Sequence, residues 1–158
     1  MSEELQKQKI LIIDDAIANI KILGAALQSE YQVLFALDAQ KGIDSAIANQ
    51  PDLILLDIMM PGMDGYEACR QLKADQRTRD IPVIFITSRS GEEDEAKGFE
   101  AGGVDYITKP FSPLITKARI KTHLELKKRT DFLEWMLREK SKELQEMQKE
   151  YEKLFIRK

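Results

Sequence analysis

Three acids, a hydroxyl and a lysine stand at the ends of apolar runs in this chain, and together they suit the transfer of a phosphoryl group. Asp14 and Asp15 close KILIIDD, Asp57 closes LILLD, Thr87 and Ser88 close PVIFITS, and Lys109-Pro110 follows VDYIT. A carboxylate at the mouth of a buried strand is costly unless something uses its charge. Three crowded carboxylates repel one another at neutral pH, and a hard divalent cation with oxygen ligands and retained waters, such as Mg2+, relieves that repulsion. A lysine and a hydroxyl opposite the metal suit the oxygens of a phosphoryl group. A carboxylate can itself attack phosphorus to give an aspartyl phosphate, while the cationic groups stabilise charge on the transferring oxygens.

The elements that must bring these residues together are legible as patterns. Five apolar runs recur along the chain: residues 9–14, 31–36, 53–58, 82–87 and 104–108. Several are continuously apolar rather than alternating, as expected of strands covered on both faces. Between them, Ile17, Ile20, Leu23 and Leu27 fit a 3.6-residue period, as do Ile43, Ala46 and Ile47, and then Tyr66, Cys69 and Leu72. Glu92, Glu93, Asp94 and Glu95 suit the positive end of a helix dipole, and Gly102-Gly103 suit its C-terminal end. Five alternations of strand and helix within about 112 residues predict an α/β fold, an open, doubly wound parallel sheet with right-handed crossovers. Ligands of such sheets bind at the carboxyl ends of the strands, where every polar group named above falls.

Composition narrows the function classes. The chain has 158 residues, enough for one ordinary domain plus an extension. The net charge of −3 hides an asymmetry: residues 1–112 carry 11 Lys/Arg against 19 Asp/Glu, and residues 113–158 carry 13 against 8. An acidic first part argues against direct nucleic-acid binding and suits a cation pocket. A single cysteine, Cys69, excludes an internal disulfide framework and fits a reducing compartment. No apolar stretch approaches the ~18 residues that span a bilayer, and the first residues lack the apolar core of a signal peptide. The expectation is a soluble, cytoplasmic protein with no membrane association.

After Ser112-Pro113, a good N-cap and first helical residue, neither glycine nor proline occurs again. Residues 113 to about 157 predict one helix of roughly 66 Å. Heptad phasing places Leu126, Leu133, Lys140, Met147 and Leu154 at d and Thr130, Leu137, Leu144 and Tyr151 at a. Lys140 apart, these eight positions form a seam over four heptads, which predicts a dimeric coiled coil with a second copy. Phe132, Trp135 and Met136 fall outside that seam and mark either packing against the chain's own surface or a docking face for a helical partner or output domain. His123, the only histidine, reads as a helix-surface or seam residue. Lys127-Lys128-Arg129 are too few for a major-groove fork.

Residues 9–119 closely resemble the receiver domain of bacterial two-component response regulators. The matching pieces are IIDDAIANIKIL, LILLDIMMPGMDGYE, PVIFITS and AGGVDYITKPF. The resemblance implies a flavodoxin-like sheet in strand order 2-1-3-4-5, with residues 1–8 as a tail and 120–158 as a coiled-coil extension of the fifth helix. It implies that Asp57 accepts a phosphoryl group from a histidine kinase or phosphotransfer protein. Asp15, Asp57 and the backbone carbonyl of Met59 match the direct Mg2+ ligands, and Asp14 matches the acid that reaches the metal through water. Thr87 and Lys109 match the hydroxyl and lysine that bind the phosphoryl group. Tyr106 matches the aromatic whose inward rotation remodels the face of the fourth helix, fifth strand and fifth helix. Lys109-Pro110 matches a peptide that is usually cis. RIKTHLELKKRTDFLE is similar to linkers joining receivers to diguanylate cyclases or phosphodiesterases. A chain ending with its coil still running suggests either a stand-alone regulator or one cut before an output domain.

Met59 departs from family members that carry a polar side chain there to position hydrolytic water, which implies a long-lived phosphoryl state; Arg89, two residues after Thr87, borders the same site. The chain is therefore expected to be a switch rather than an enzyme acting on outside substrates. Other readings are a Mg2+-dependent phosphohydrolase with Asp57 as nucleophile, a flavodoxin, or a coiled-coil interaction protein capped by an unphosphorylated receiver. Haloacid-dehalogenase-like hydrolases need an acid where Met59 stands, and Asp14-Asp15 would repel a flavin phosphate.

Overall fold

The computed structural model describes residues 7–88 and 91–156, so the first residues of the expected tail and Arg89 lie outside the described residues. The chain forms β1 (Lys9–Ile13), α1 (Ile17–Leu27), β2 (Gln32–Ala36), α2 (Ala39–Asn49), β3 (Leu53–Asp57), α3 (Gly65–Ala74), β4 (Val83–Thr87), α4 (Glu92–Glu100), β5 (Asp105–Thr108) and α5 (Pro113–Phe155). All strand pairs are parallel, and the order β2-β1-β3-β4-β5 is the one expected. The order reverses direction between β1 and β3, so a crevice opens beyond the carboxyl ends of those two strands.

The continuous apolar character of the strands follows from burial on both faces. Every residue of β3 and of β4 is buried. Alternate side chains feed two cores: Leu11, Ile13, Ile54, Leu56 and Phe85 meet α2 and α3, while Ile10, Ile12, Leu55, Ile84 and Ile107 meet α1 and α5. α2 approaches β1 so closely that a Cβ at Gly42 would fall 2.4 Å from the Ile13 side chain, which is why glycine stands there. Helix starts use the expected chemistry: Asp38 accepts from the Lys41 N–H at 2.8 Å and Asp64 from the Glu67 N–H at 2.9 Å.

α5 runs 43 residues without a break. Thr116, Ile120 and Leu124 are its buried residues, so the sheet's core draws on α5 beyond residue 119. The chain divides into two compact units, ending and beginning at Leu124 and Glu125. In the second unit the seam residues Leu126, Leu133, Leu137, Leu144, Met147, Tyr151 and Leu154 are all exposed, and so are Phe132, Trp135 and Met136. The rings of Phe132 and Trp135 stack with centroids 6.0 Å apart. Among the described residues no helix is long and apolar enough to cross a membrane.

Leu55, at the centre of β3, has no exposed surface. Leu55→Ala is expected to lower unfolding stability by about 3 kcal/mol, through lost burial plus a cavity the parallel sheet cannot close, measured by urea denaturation.

Candidate functional site

Each chemistry-bearing residue is delivered by the end of a strand. Asp57 is the last residue of β3 and pairs in register with Ile86, one residue before Thr87 on β4. Thr87 pairs with Thr108, and the Lys109 N–H donates to the Thr87 carbonyl at 2.7 Å, which carries Lys109 to the same edge. Asp14 follows β1, and its N–H donates to the Ala36 carbonyl of β2 at 3.1 Å. One carboxylate oxygen each from Asp14, Asp15 and Asp57 lie within 4.8 Å of one another. The Lys109 ammonium stands 3.2 Å from Asp14 Oδ2 and 3.5 Å from Asp57 Oδ1.

The three acids differ in surroundings. Asp14 is buried, and both its oxygens are engaged: Oδ1 accepts from the Ala16 N–H at 2.9 Å, and Oδ2 from the Asn19 amide and from Lys109, each at 3.2 Å. Asp15 is exposed at the rim. Asp57 is buried and accepts from the Met59 N–H at 3.4 Å. Burial and then the charge of Asp14 push the Asp57 carboxyl up to about 6, with Lys109 pulling the other way. This donor set, three carboxylates with one partly neutralised by hydrogen bonds, has the hard oxygen chemistry that a small divalent cation requires.

The switch candidates stand beside this cluster. Thr87 is fully buried at the end of β4. Tyr106 is turned into the core, 7% exposed, with its ring centroid 6.2 Å from that of Phe85. Its hydroxyl is buried without a hydrogen-bond partner among the described residues, and burial pushes the phenol's pKa up. The Lys109-Pro110 peptide is cis. The Met59 side chain is half exposed and borders a cleft with Asp15, Pro61, Asp64 and Tyr66.

Two features of the surroundings go beyond or against what the sequence pattern announces. Asn19 is one: a polar residue one turn into α1 that braces Asp14, and its only trace in the sequence is a polar position beside the acids. The other is His123, which lies neither on the seam nor on an open surface. Its Nε2 is 2.9 Å from Asp105 Oδ2 on β5, and Arg119 holds the other oxygen at 2.6 Å. Burial alone would raise the Asp105 carboxyl, but the His123 hydrogen bond, the Tyr106 N–H and Arg119 hold it below its ordinary value. The i, i+4 spacing of Arg119 and His123 could have announced a shared partner; the acid on β5 could not be assigned without the fold.

Comparison with known proteins bears on this geometry. Residues 10–121 match the family model of the response regulator receiver domain. The chain is 44% identical over 115 residues to the response regulator PleD of Caulobacter vibrioides, covering 72% of this chain and 25% of that protein. It is 40% identical over 153 residues to a probable cyclic di-GMP phosphodiesterase of Vibrio cholerae, covering 92% of this chain and 35% of that protein. The chain thus spans about a quarter to a third of the length of these relatives. Among solved structures it is similar to the receiver domain of the sensor histidine kinase PA1611 of Pseudomonas aeruginosa, which has a magnesium ion coordinated in its active-site cleft. That likeness has a TM-score of 0.70 and 30% identity, over 75% of this chain and 98% of that one.

Because the folded-state pKa of Asp57 lies above its ordinary value of 3.8, its ionisation opposes folding. The associated stability is complete below pH ~4 and lost as pH rises through about 6. In EDTA at pH 8, Asp57→Asn is therefore expected to be more stable than the wild type by about 3 kcal/mol. The gap should close below pH ~4, as followed by urea denaturation across pH.

Proposed function

The chain belongs to the response regulator receiver family, and from that premise we propose that it is a phosphoacceptor switch working through Asp57. The observation that carries this reading is the convergence of Asp14, Asp15 and Asp57 within 4.8 Å, with Lys109 3.5 Å from the Asp57 carboxylate. An oxygen of Asp57 attacks the phosphorus of a phosphohistidine on a sensor kinase or phosphotransfer protein. The O–P bond forms as the N–P bond breaks, and the imidazole nitrogen leaves with the electron pair. Lys109, already drawn to Asp57, balances charge on the transferring oxygens, and the Thr87 hydroxyl binds one of them. Asp15, Asp57 and the Met59 carbonyl would hold Mg2+ directly and Asp14 through water. The ion supplies neutralisation of the developing negative charge.

Asn19 and the Ala16 N–H hold the Asp14 carboxylate in place beside Asp57. Movement of Thr87 toward the phosphoryl group, with Tyr106 turned inward, alters the face formed by α4, β5 and α5. From there the signal passes to the extension of α5, where the eight seam residues pair with a second copy. Phe132, Trp135 and Met136 then remain for an output domain or a helical partner. The match to the Vibrio cholerae phosphodiesterase covers the helical extension as well as the sheet, which favours an enzymatic output of that kind over direct nucleic-acid binding. The site of action is the cytoplasm. Met59 offers no hydrogen bond to an attacking water, so the phosphoryl group is long-lived.

Incubation with acetyl phosphate and Mg2+ is expected to add one phosphoryl group, seen by mass spectrometry, that is absent in Asp57→Asn and in EDTA. An adduct that survives Asp57→Asn would sink the assignment. In the same assay, Met59→Asn should shorten the adduct's half-life, because a polar side chain there can position the attacking water. Equal half-lives would remove the Met59 side chain from control of hydrolysis.

Sedimentation at tens of micromolar is expected to give a dimer. Leu137→Glu together with Leu144→Glu should return a folded monomer, since two buried charges cancel most of what a short seam contributes. A monomeric wild type, phosphorylated or not, would exclude the coiled coil.

A further inference from the structure

Of all the helices, α4 has the fewest anchors to the sheet. Four acids crowd its first turn, and of its nine residues only Gly98 is buried. It meets the core through that glycine, where a Cβ would fall 3.1 Å from the Phe85 ring and 3.3 Å from the Tyr106 ring. Its N-terminal turn has a different anchor. The Tyr66 hydroxyl, on the first turn of α3, donates to the Asp94 carbonyl at 3.0 Å.

Tyr66 is also close to the chemistry. It lines the cleft shared by Asp15 and Met59. It follows Gly65, where an added Cβ would lie 2.3 Å from the Asp57 carbonyl oxygen, so the start of α3 is pressed against the end of β3. Its ring is 5.7 Å from Phe85, and Phe85 is 6.2 Å from Tyr106, which makes a ladder of three aromatic rings beneath α4. The Tyr106 hydroxyl is buried and makes no hydrogen bond of good geometry among the described residues, while, after burial, the neighbouring Tyr66 side chain also pushes its phenol up.

We infer that Tyr66 is a positioning residue of the switch: its hydroxyl latches the first turn of α4 to α3 and, by accepting from the stranded Tyr106 hydroxyl, couples the placement of Tyr106 to that of α4. A phenol donates one hydrogen bond and can accept another, so one side chain serves both partners. A buried hydroxyl without a partner is unfavourable, which biases small movements toward closing the chain from Tyr106 through Tyr66 to Asp94. Any shift of α3 at the edge of the Asp57 loop then reaches α4 through one hydroxyl. This deepens the phosphoacceptor reading and rests on it for the event that moves the pair.

Tyr66→Phe removes the hydroxyl and keeps the ring against Phe85. The experiment measures amide hydrogen exchange along α4 in wild type and Tyr66→Phe, with and without beryllofluoride and Mg2+, while fluorine NMR reports beryllofluoride bound at Asp57. The variant is expected to keep the bound signal, and its α4 amides should exchange about fivefold faster without ligand, the usual effect of one lost hydrogen bond. The change in α4 exchange caused by the adduct should also shrink by roughly half, a readout that a merely structural bond would leave unmoved. Exchange in α4 equal to wild type in both states overturns the latch. So does a uniform acceleration over the whole sheet, which marks general loss of stability. A wild type that takes up no beryllofluoride defeats the phosphoacceptor reading instead, and the ligand-free comparison then still decides whether Tyr66 holds α4.

Discussion

The Asp57 carboxyl is 4% exposed and stands between a second carboxyl, Asp14, that repels it and an ammonium, Lys109, that attracts it. In low dielectric these opposing forces are stronger than at a surface, so small displacements of any one group change the energy of the others. The rest of the fold fixes those displacements. β1 and β3 are hydrogen-bonded neighbours, which places Asp14 beside Asp57. Lys109 arrives from two strands away, and its N–H bond to the Thr87 carbonyl sets its distance. A sheet with the same strands in another order would carry the same residues and form no site.

Rigidity and looseness are divided accordingly. β3 and β4 are buried along their whole length and hold Asp57 and Thr87 where packing permits little adjustment. α4 is held by one buried glycine, by the turn that follows it and by the Tyr66 bond. A chemical change at the strand ends therefore meets a stiff floor and a movable helix, and displacement is transferred to the helix. The inward position of Tyr106, with its hydroxyl unmatched, shows that the boundary between the two is not fully satisfied in polar terms.

The extension of α5 has a different physical character. Its apolar side chains are exposed over about thirty residues, far more than a solitary helix leaves open in water. Lys140 interrupts the seam and bonds to Glu143 at 3.2 Å, so the line divides into an earlier stretch around Leu126, Leu133 and Leu137 and a later one around Leu144, Met147, Tyr151 and Leu154. The stacked pair Phe132 and Trp135 adds apolar surface at the earlier stretch, and Phe155, beside Tyr151, adds it at the later one.

The sequence determined the period of the central strands, apolar on both faces, and of α1, α2 and α3, apolar on one, because hydrophobic burial reads those patterns directly, whereas α4 was marked by its acids and closing glycines. It determined the identities of Asp14, Asp15, Asp57, Thr87 and Lys109 as polar residues at strand ends, and the 43-residue helix as an unbroken run of helix formers. Residues that act through a partner remote in sequence left no such trace. Asn19 on Asp14, the Arg119 and His123 pair on Asp105, and the Tyr66 hydroxyl on Asp94 each depend on a meeting across 5 to 28 positions of chain. Periodicity fixes which face a side chain occupies, whereas only the packing of one element against another decides which polar atom it reaches.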